Sequence, residues 1–210
     1  MTTNKATIEV YTDGSATTGD LPGGWAFRVV GNGIPIFENS GHMEKATNND
    51  AELEAALQGL EYLKTKYEAA KRNPREEEIF LVSDSQIVLG WASGKYRVKQ
   101  AGKIDKVKRI RELVIFLGVK PKWVKGHSGD THNTRCDKLA RNARKGKTVD
   151  NSSTIPTKPS MIGTKKKGVV NLWHKGVLKI VDLESNIVED YDPDAHGRRS
   201  SVFEVQSEKV

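Results

Sequence analysis

Thiols are nearly absent from this chain. Cys136 is the only cysteine in 210 residues, so neither an intrachain disulfide nor a Cys-based zinc site can form. A lone thiol fits a reducing compartment. Long apolar runs are missing as well. Nothing approaches the roughly 20 residues that span a bilayer, and the opening M-T-T-N-K-A-T has no apolar stretch of the signal-peptide kind. No internal repeat is visible. These absences predict a cytoplasmic, soluble protein with no membrane partner. No obligate protein partner is evident either.

Charge is plentiful and unevenly placed. The formal net charge is +7. Residues 1–150 carry 25 Lys and Arg against 19 Asp and Glu, whereas residues 151–210 carry 9 against 8. Within 95–125 there are 11 basic residues, and the only acids are Asp105 and Glu112. Such a stripe is the footprint of a phosphate-backbone binder, or equally a solvated helix face.

The apolar pattern gives an element order. Residues 7–12 predict a strand ending at Asp13. G-G-W-A-F-R-V-V (23–30) and I-P-I-F-E-N (34–39) flank Gly31-Asn32-Gly33, a hairpin signal. Thr47, Asn48 or Asn49 caps a helix starting near Asp50, whose Leu53, Leu57, Leu60 and Leu63 form a buried face. Glu76 to Glu78 read as a solvated turn. E-I-F-L-V-S (78–83) then reads as a central strand, with Asp84 at the C-terminal end where open α/β sheets carry function. One helix follows Asp84 and ends at Gly94. A second, at about 102–117, puts Ile104, Val107, Ile110, Leu113 and Val114 on its apolar face and stops at Gly118. Residues 119–125 form a last strand and 132–145 a last helix. The order β-β-β-α-β-α-α-β-α implies an α/β mixed sheet with helices on its faces.

Composition changes near Gly146. Residues 1–147 form one domain, 148–167 a Ser/Pro/Lys-rich linker, and 168–210 a small β-rich extension. The extension holds three or four short strand patterns (168–173, 176–183, 186–191 and 201–205) and a turn near Glu184 to Asn186. Forty-odd residues make a marginal core. Three roles stay open for it: packing on the first domain, a second nucleic-acid contact, or dimerisation.

Four carboxylates sit in distinctive short segments: Asp13 in Y-T-D-G-S, Glu52 in T-N-N-D-A-E-L, Asp84 in L-V-S-D-S-Q and Asp137 in N-T-R-C-D-K-L-A. A lone Asp at a strand end is usually a turn former. Four together repel one another unless cations share the site, and hard divalent cations want oxygen ligands. Two cations about 4 Å apart would suit an in-line displacement. Mg²⁺ is the natural candidate, and Mn²⁺ should substitute. Glu54 lies two residues from Glu52, on the other side of the helix, so it reads as a surface charge. His127 lies in W-V-K-G-H-S-G-D, and an unperturbed histidine can exchange protons at neutral pH.

The ordered set resembles type 1 ribonuclease H over about residues 6–147. The resemblance implies an RNase H-like mixed five-stranded sheet with helices on both faces, and makes 1–147 the catalytic domain. It implies an endonuclease that hydrolyses the RNA strand of RNA–DNA hybrids with two metal ions, giving 3′-hydroxyl and 5′-phosphate ends. Asp13, Glu52, Asp84 and Asp137 would hold the metals, and His127 would aid leaving-group protonation or product release. Gly14, Ser15, Asn48 and Gln86 would face RNA, Thr47 and Asn49 would face DNA, and Asn133 would lie near the last carboxylate. Lys103, Lys106 and Arg109 are the substrate-binding candidates of the basic stripe.

The chain departs from the family pattern in two places. A-T-T-G-D-L-P-G-G follows Ser15 where bacterial members often have Asn-Pro-Gly. The stretch from Asp84 to His127 is also too short for a full basic handle, leaving Trp91 and Tyr96 as aromatic candidates. Two rival readings are another nuclease of this fold, integrase- or resolvase-like, and a non-catalytic hybrid-binding module.

Overall fold

A computed structural model describes residues 5–126, 129–147, 169–174, 177–182 and 188–190. The chain divides into two compact units, Met1–Asn151 and Ser152–Val210.

In the first unit β1 (Thr7–Ser15), β2 (Gly23–Gly31) and β3 (Ile34–Met43) form an antiparallel meander. The β2–β3 turn places Asn32 and Gly33 at positive φ, the conformation that Asn-Gly adopts with least strain. Asn32 Oδ1 accepts a hydrogen bond from the Thr7 amide at 2.8 Å, which ties the turn to β1. β4 (Glu78–Ser83) runs parallel to β1, and β5 (Lys120–Trp123) runs parallel to β4. The sheet order is β3-β2-β1-β4-β5.

Two strands run further than their apolar patterns. β1 continues through Asp13 to Ser15, because Asp13, Gly14 and Ser15 pair with Ala26, Trp25 and Gly24. β3 continues to Met43, which pairs with Gly23. Ladder hydrogen bonds extend strands past the point where hydrophobic alternation stops.

Helices cover both faces, as period-two alternation requires. On one face Val10, Phe27, Val29 and Leu81 meet Leu53, Leu60 and Leu63 of α1 (Asn48–Ala69). Val88 of α2 (Gln86–Ala92) joins them, as do Val107, Ile110, Leu113 and Leu117 of α3 (Ala101–Leu117). On the other face Tyr11, Val30 and Val82 pack on Cys136, and Ala26 packs on Leu139 and Ala140, all from α4 (Thr131–Arg144). Leu60 is fully buried, so Leu60→Ala would cost about 2–5 kcal/mol. Thr47 caps α1 in a reciprocal box with Asp50. Gly118 ends α3 in the left-handed conformation.

Two expectations are corrected here. The buried stripe of α3 runs through Lys103, Val107, Ile110, Leu113 and Leu117, and Ile104 is exposed. The Glu76–Glu78 stretch is not a solvated turn. Exposed Glu76 closes a 3-10 turn (Pro74–Glu76), the side chain of Glu77 is tucked against Tyr67 and Arg72, and Glu78 opens β4.

In the second unit β6 (Val169–His174), β7 (Val177–Asp182) and β8 (Val188–Asp190) form an antiparallel sheet in that order. The expected fourth strand at 201–205, the turn near Glu184 to Asn186 and the linker lie outside the described residues.

Candidate active site

Local sequence brings the carboxylates together. Asp13 lies near the end of central β1, and Asp84 lies one residue past the end of β4, the parallel neighbour of β1. Glu52 comes from the start of α1, which crosses that end of the sheet. Gly14 permits the crossing, because a Cβ there would collide with the backbone of Ala51 and Glu52. Gly24 does the same for α4, where a Cβ would collide with backbone atoms of Ala140 and Arg144. Two glycines thus let two helices approach the strand ends closely enough to deliver Glu52 and Asp137.

The result is one cleft of about 290 Å³ that contains all four carboxylates. Asp13, Glu52 and Asp84 each offer an oxygen within 4.8 Å of the others. Asp137 lines the same cleft outside that tight triad, and its Oδ1 is 2.7 Å from Nε of Arg141, one turn along α4. Asp84 is fixed from behind: Trp123 Nε1 donates to its backbone carbonyl at 3.1 Å. The Asp84 carboxylate lies against Gly126, where a Cβ would come within 2.6 Å of Oδ2.

The electrostatics are those of a cation site. Burial, with repulsion from Asp84 and Asp137, pushes the Asp13 carboxyl up to about 8. Burial and the charges of Asp13 and Asp84 raise Glu52 well above the usual range. Glu52 Oε2 is buried and has no hydrogen-bond partner within the protein. An orphaned buried carboxylate oxygen is costly unless a ligand satisfies it. The donors in the triad are all carboxylate oxygens, the set that hard divalent cations prefer. The residues present therefore fit such cations.

The other expected site residues divide. Gly14, Ser15, Asn48 and Asn133 line the cleft. Asn48 Oδ1 also accepts from the Ala16 amide at 3.3 Å. Asn133 is buried, and its Oδ1 has no partner. Thr47 is occupied as the α1 cap, Asn49 is partly buried beside it, and Gln86 is exposed at the start of α2; none of these three lines the cleft. His127 lies outside the described residues.

The three cations singled out from the basic stripe are paired with carboxylates. Lys103 pairs with Asp50, Lys106 with Glu54 at 2.5 Å, and Arg109 with Glu61 at 2.6 Å and with Glu112. The contacts with Asp50, Glu54 and Glu61 form a ladder that joins α3 to α1, and none of the three cations lines the cleft. Glu54 is accordingly a rung of the ladder and only partly exposed. Arg141 and Thr134 also line the cleft and escaped sequence reasoning. The available signal for Arg141 was its i,i+4 spacing from Asp137.

A mixed sheet whose parallel strand ends carry Asp13 and Asp84, with Glu52 delivered beside them by a crossing helix, defines an α/β enzyme class organised around hard cations. Comparison with known proteins narrows the class. The family model described as RNase H matches residues 5–145. The ribonuclease H of Treponema pallidum is 33% identical over 164 residues, spanning 66% of this chain and 90% of that protein. The ribonuclease H of Pseudomonas putida is 36% identical over 147 residues, spanning 63% and 90%. A crystal structure of LC11-RNase H1 in complex with an RNA/DNA hybrid is similar at 25% identity and TM-score 0.58, covering 66% of this chain and 97% of that one. RNase H1 of the archaeon Halobacterium salinarum matches at 25% identity and TM-score 0.55, covering 67% and 98%. The chain belongs to the RNase H family and is a ribonuclease H enzyme. Among the described residues no helix is long and apolar enough to cross a membrane.

Proposed function

We propose that residues 1–147 form a catalytic domain that cleaves the RNA strand of RNA–DNA hybrids endonucleolytically, with two divalent cations, Mg²⁺ by preference. The observation that carries this reading is the convergence of Asp13, Glu52 and Asp84 within 4.8 Å in a chain of the RNase H family. The hybrid bound to the similar LC11-RNase H1 supports the choice of substrate. Asp13, Glu52 and Asp84 would hold the cations, with Asp137 completing the set. When bound, the cations offset the charge of the phosphate and promote the attack of water on it. The P–O3′ bond then breaks, the ribose 3′-oxygen takes a proton, and a 5′-phosphate and a 3′-hydroxyl remain.

The chain's own groups would do the rest. Backbone at Gly14 and Ser15 and the amides of Asn48 and Asn133 face the cleft, where they are suited to a 2′-hydroxyl, the group that tells RNA from DNA. In the sequence His127 follows Gly126, which lies against Asp84. Its imidazole is suited to deliver the proton that the leaving 3′-oxygen needs.

The test is cleavage of a panel of RNA–DNA hybrid, duplex RNA, duplex DNA and single strands, with and without Mg²⁺ or Mn²⁺. Metal-dependent scission confined to the RNA of the hybrid is expected. Scission of duplex DNA would favour an integrase- or resolvase-like activity. Binding without scission would favour a hybrid-binding module.

A further inference from the structure

Glu38 is a buried charge that does not line the cleft. It lies on β3, the edge strand, and is 7% exposed. Arg135 of α4 grips it with two nitrogens: Nε is 3.2 Å from both carboxylate oxygens, and Nη2 is 2.5 Å from Oε1. Arg28, the cross-strand register partner of Glu38 on β2, stands 3.5 Å from Oε2. Arg135 thus holds the carboxylate beneath α4 by hydrogen bonds, and Arg28 adds its charge without one.

The remaining contacts of α4 fix its position better than its rotation. Leu139, Ala140 and Ala143 make apolar contacts without direction, and the hydrogen bond that Cys136 Sγ donates to the Tyr11 carbonyl is long, at 3.6 Å, and weak. The hydrogen bond between His42 Nδ1 and the Ala143 carbonyl, at 2.9 Å, lies at the far end of the helix. Arg135 is two residues from Asp137, so the two side chains leave the helix on roughly opposite sides. Asn133, Asp137 and Arg141, at i, i+4 and i+8, share the face that lines the cleft. Holding Arg135 therefore sets the direction in which Asp137 points. A buried ion pair of this kind adds little net stability compared with apolar packing, and its best-attested use is to specify one arrangement.

We propose that Glu38, backed by Arg28, is a positioning residue. It clamps Arg135, fixes the rotation of α4, and so aims Asp137 at the cation site. The inference rests on Asp137 being part of that site.

The experiment compares the full chain with Glu38→Gln, Glu38→Asp, Asp137→Asn and the Glu38→Gln/Asp137→Asn double variant. Mg²⁺ binding is measured by calorimetry without substrate, and kcat and KM are measured on a hybrid. Glu38→Gln is expected to weaken Mg²⁺ binding about threefold or more and to lower kcat about tenfold, with KM within about twofold. Glu38→Asp, which keeps the charge, recovers part of both. In the Asp137→Asn background Glu38→Gln adds less than about twofold to either, since it acts through Asp137. Glu38→Gln that melts earlier but binds Mg²⁺ and turns over like wild type overturns the proposal and leaves Glu38 structural. Equal losses with and without Asp137 overturn it too. If Glu38→Gln does not fold, Arg135→Lys, which keeps the charge but loses the two-pronged grip, is held to the same outcomes. A wild-type chain that neither binds Mg²⁺ nor cleaves the hybrid overturns the functional reading itself, a result distinct from the others.

Discussion

Replacing Asp13 by Asn should make the metal-free protein more stable at high pH while it destroys activity. Burial and the neighbouring carboxylates raise the Asp13 carboxyl from 3.8 to about 8 in the fold. The folded state therefore holds a proton that the unfolded chain has already released above about pH 4. Its contribution to stability is fully present below pH 4 and is lost as pH rises towards 8. At about 1.4 kcal/mol per pH unit, a four-unit shift caps the loss near 5–6 kcal/mol. Glu52 shares the same repulsion and some water reaches the cleft, so about 2–3 kcal/mol is the realistic scale. For a chain of this size that is about 5–10 °C in melting temperature. Asn resembles the protonated acid and carries no such loss. Thermal melts in a chelating buffer from pH 5 to 9 should show wild type falling and Asp13→Asn falling less, the gap widening up to pH 8. Mg²⁺ should restore wild type at pH 8 and leave the variant nearly unchanged, because only an ionised cluster rewards the cation. A wild-type melting temperature flat across this range, or a variant that declines in parallel with it, would refute the reasoning.

Other perturbations separate the parts of the account. Reversing the charges of Lys103, Lys106 and Arg109 together should lower the melting temperature by several degrees, since it turns three rungs between α1 and α3 repulsive; the slope of log hybrid affinity against log salt should stay the same, and a flatter slope would return these cations to the substrate. His127→Ala should lower kcat more than it raises KM, and an unchanged kcat with a raised KM would recast the histidine as a binding group. Truncation after Lys147 should leave hybrid cleavage intact, because every residue assigned to chemistry precedes it, and loss of cleavage by a folded truncated chain would place part of the site in the extension.

Much of this was legible in the sequence. Gly31-Asn32-Gly33 announced its hairpin, the leucines of α1 announced their face, and the four carboxylates of the cleft stood out by their segments. Spacing failed where two faces of one helix both looked plausible. Ile104 and Lys103 are adjacent, and hydrophobicity alone favours the isoleucine. The structure buries the lysine because its stem packs along α1 and its ammonium meets Asp50, an arrangement only the partner helix reveals. The same blindness made the stripe look free for phosphates, since Asp50, Glu54 and Glu61 lie about fifty residues away. Glu38 carried no local signal, because its importance arises from a strand pairing and a helix crossing that meet only in the fold.

The claim that three converging carboxylates make this chain a metal-dependent hybrid nuclease is tested most directly by one measurement. Single-turnover cleavage of a labelled RNA–DNA hybrid is followed at matched Mg²⁺ by wild type and by folded Asp13→Asn, Glu52→Gln and Asp84→Asn. The account predicts internal cuts in the RNA strand by wild type, none in chelator, and losses of about a thousandfold or more in each variant. Near wild-type cleavage by any of the three, or wild-type cleavage that survives removal of divalent cations, would contradict it.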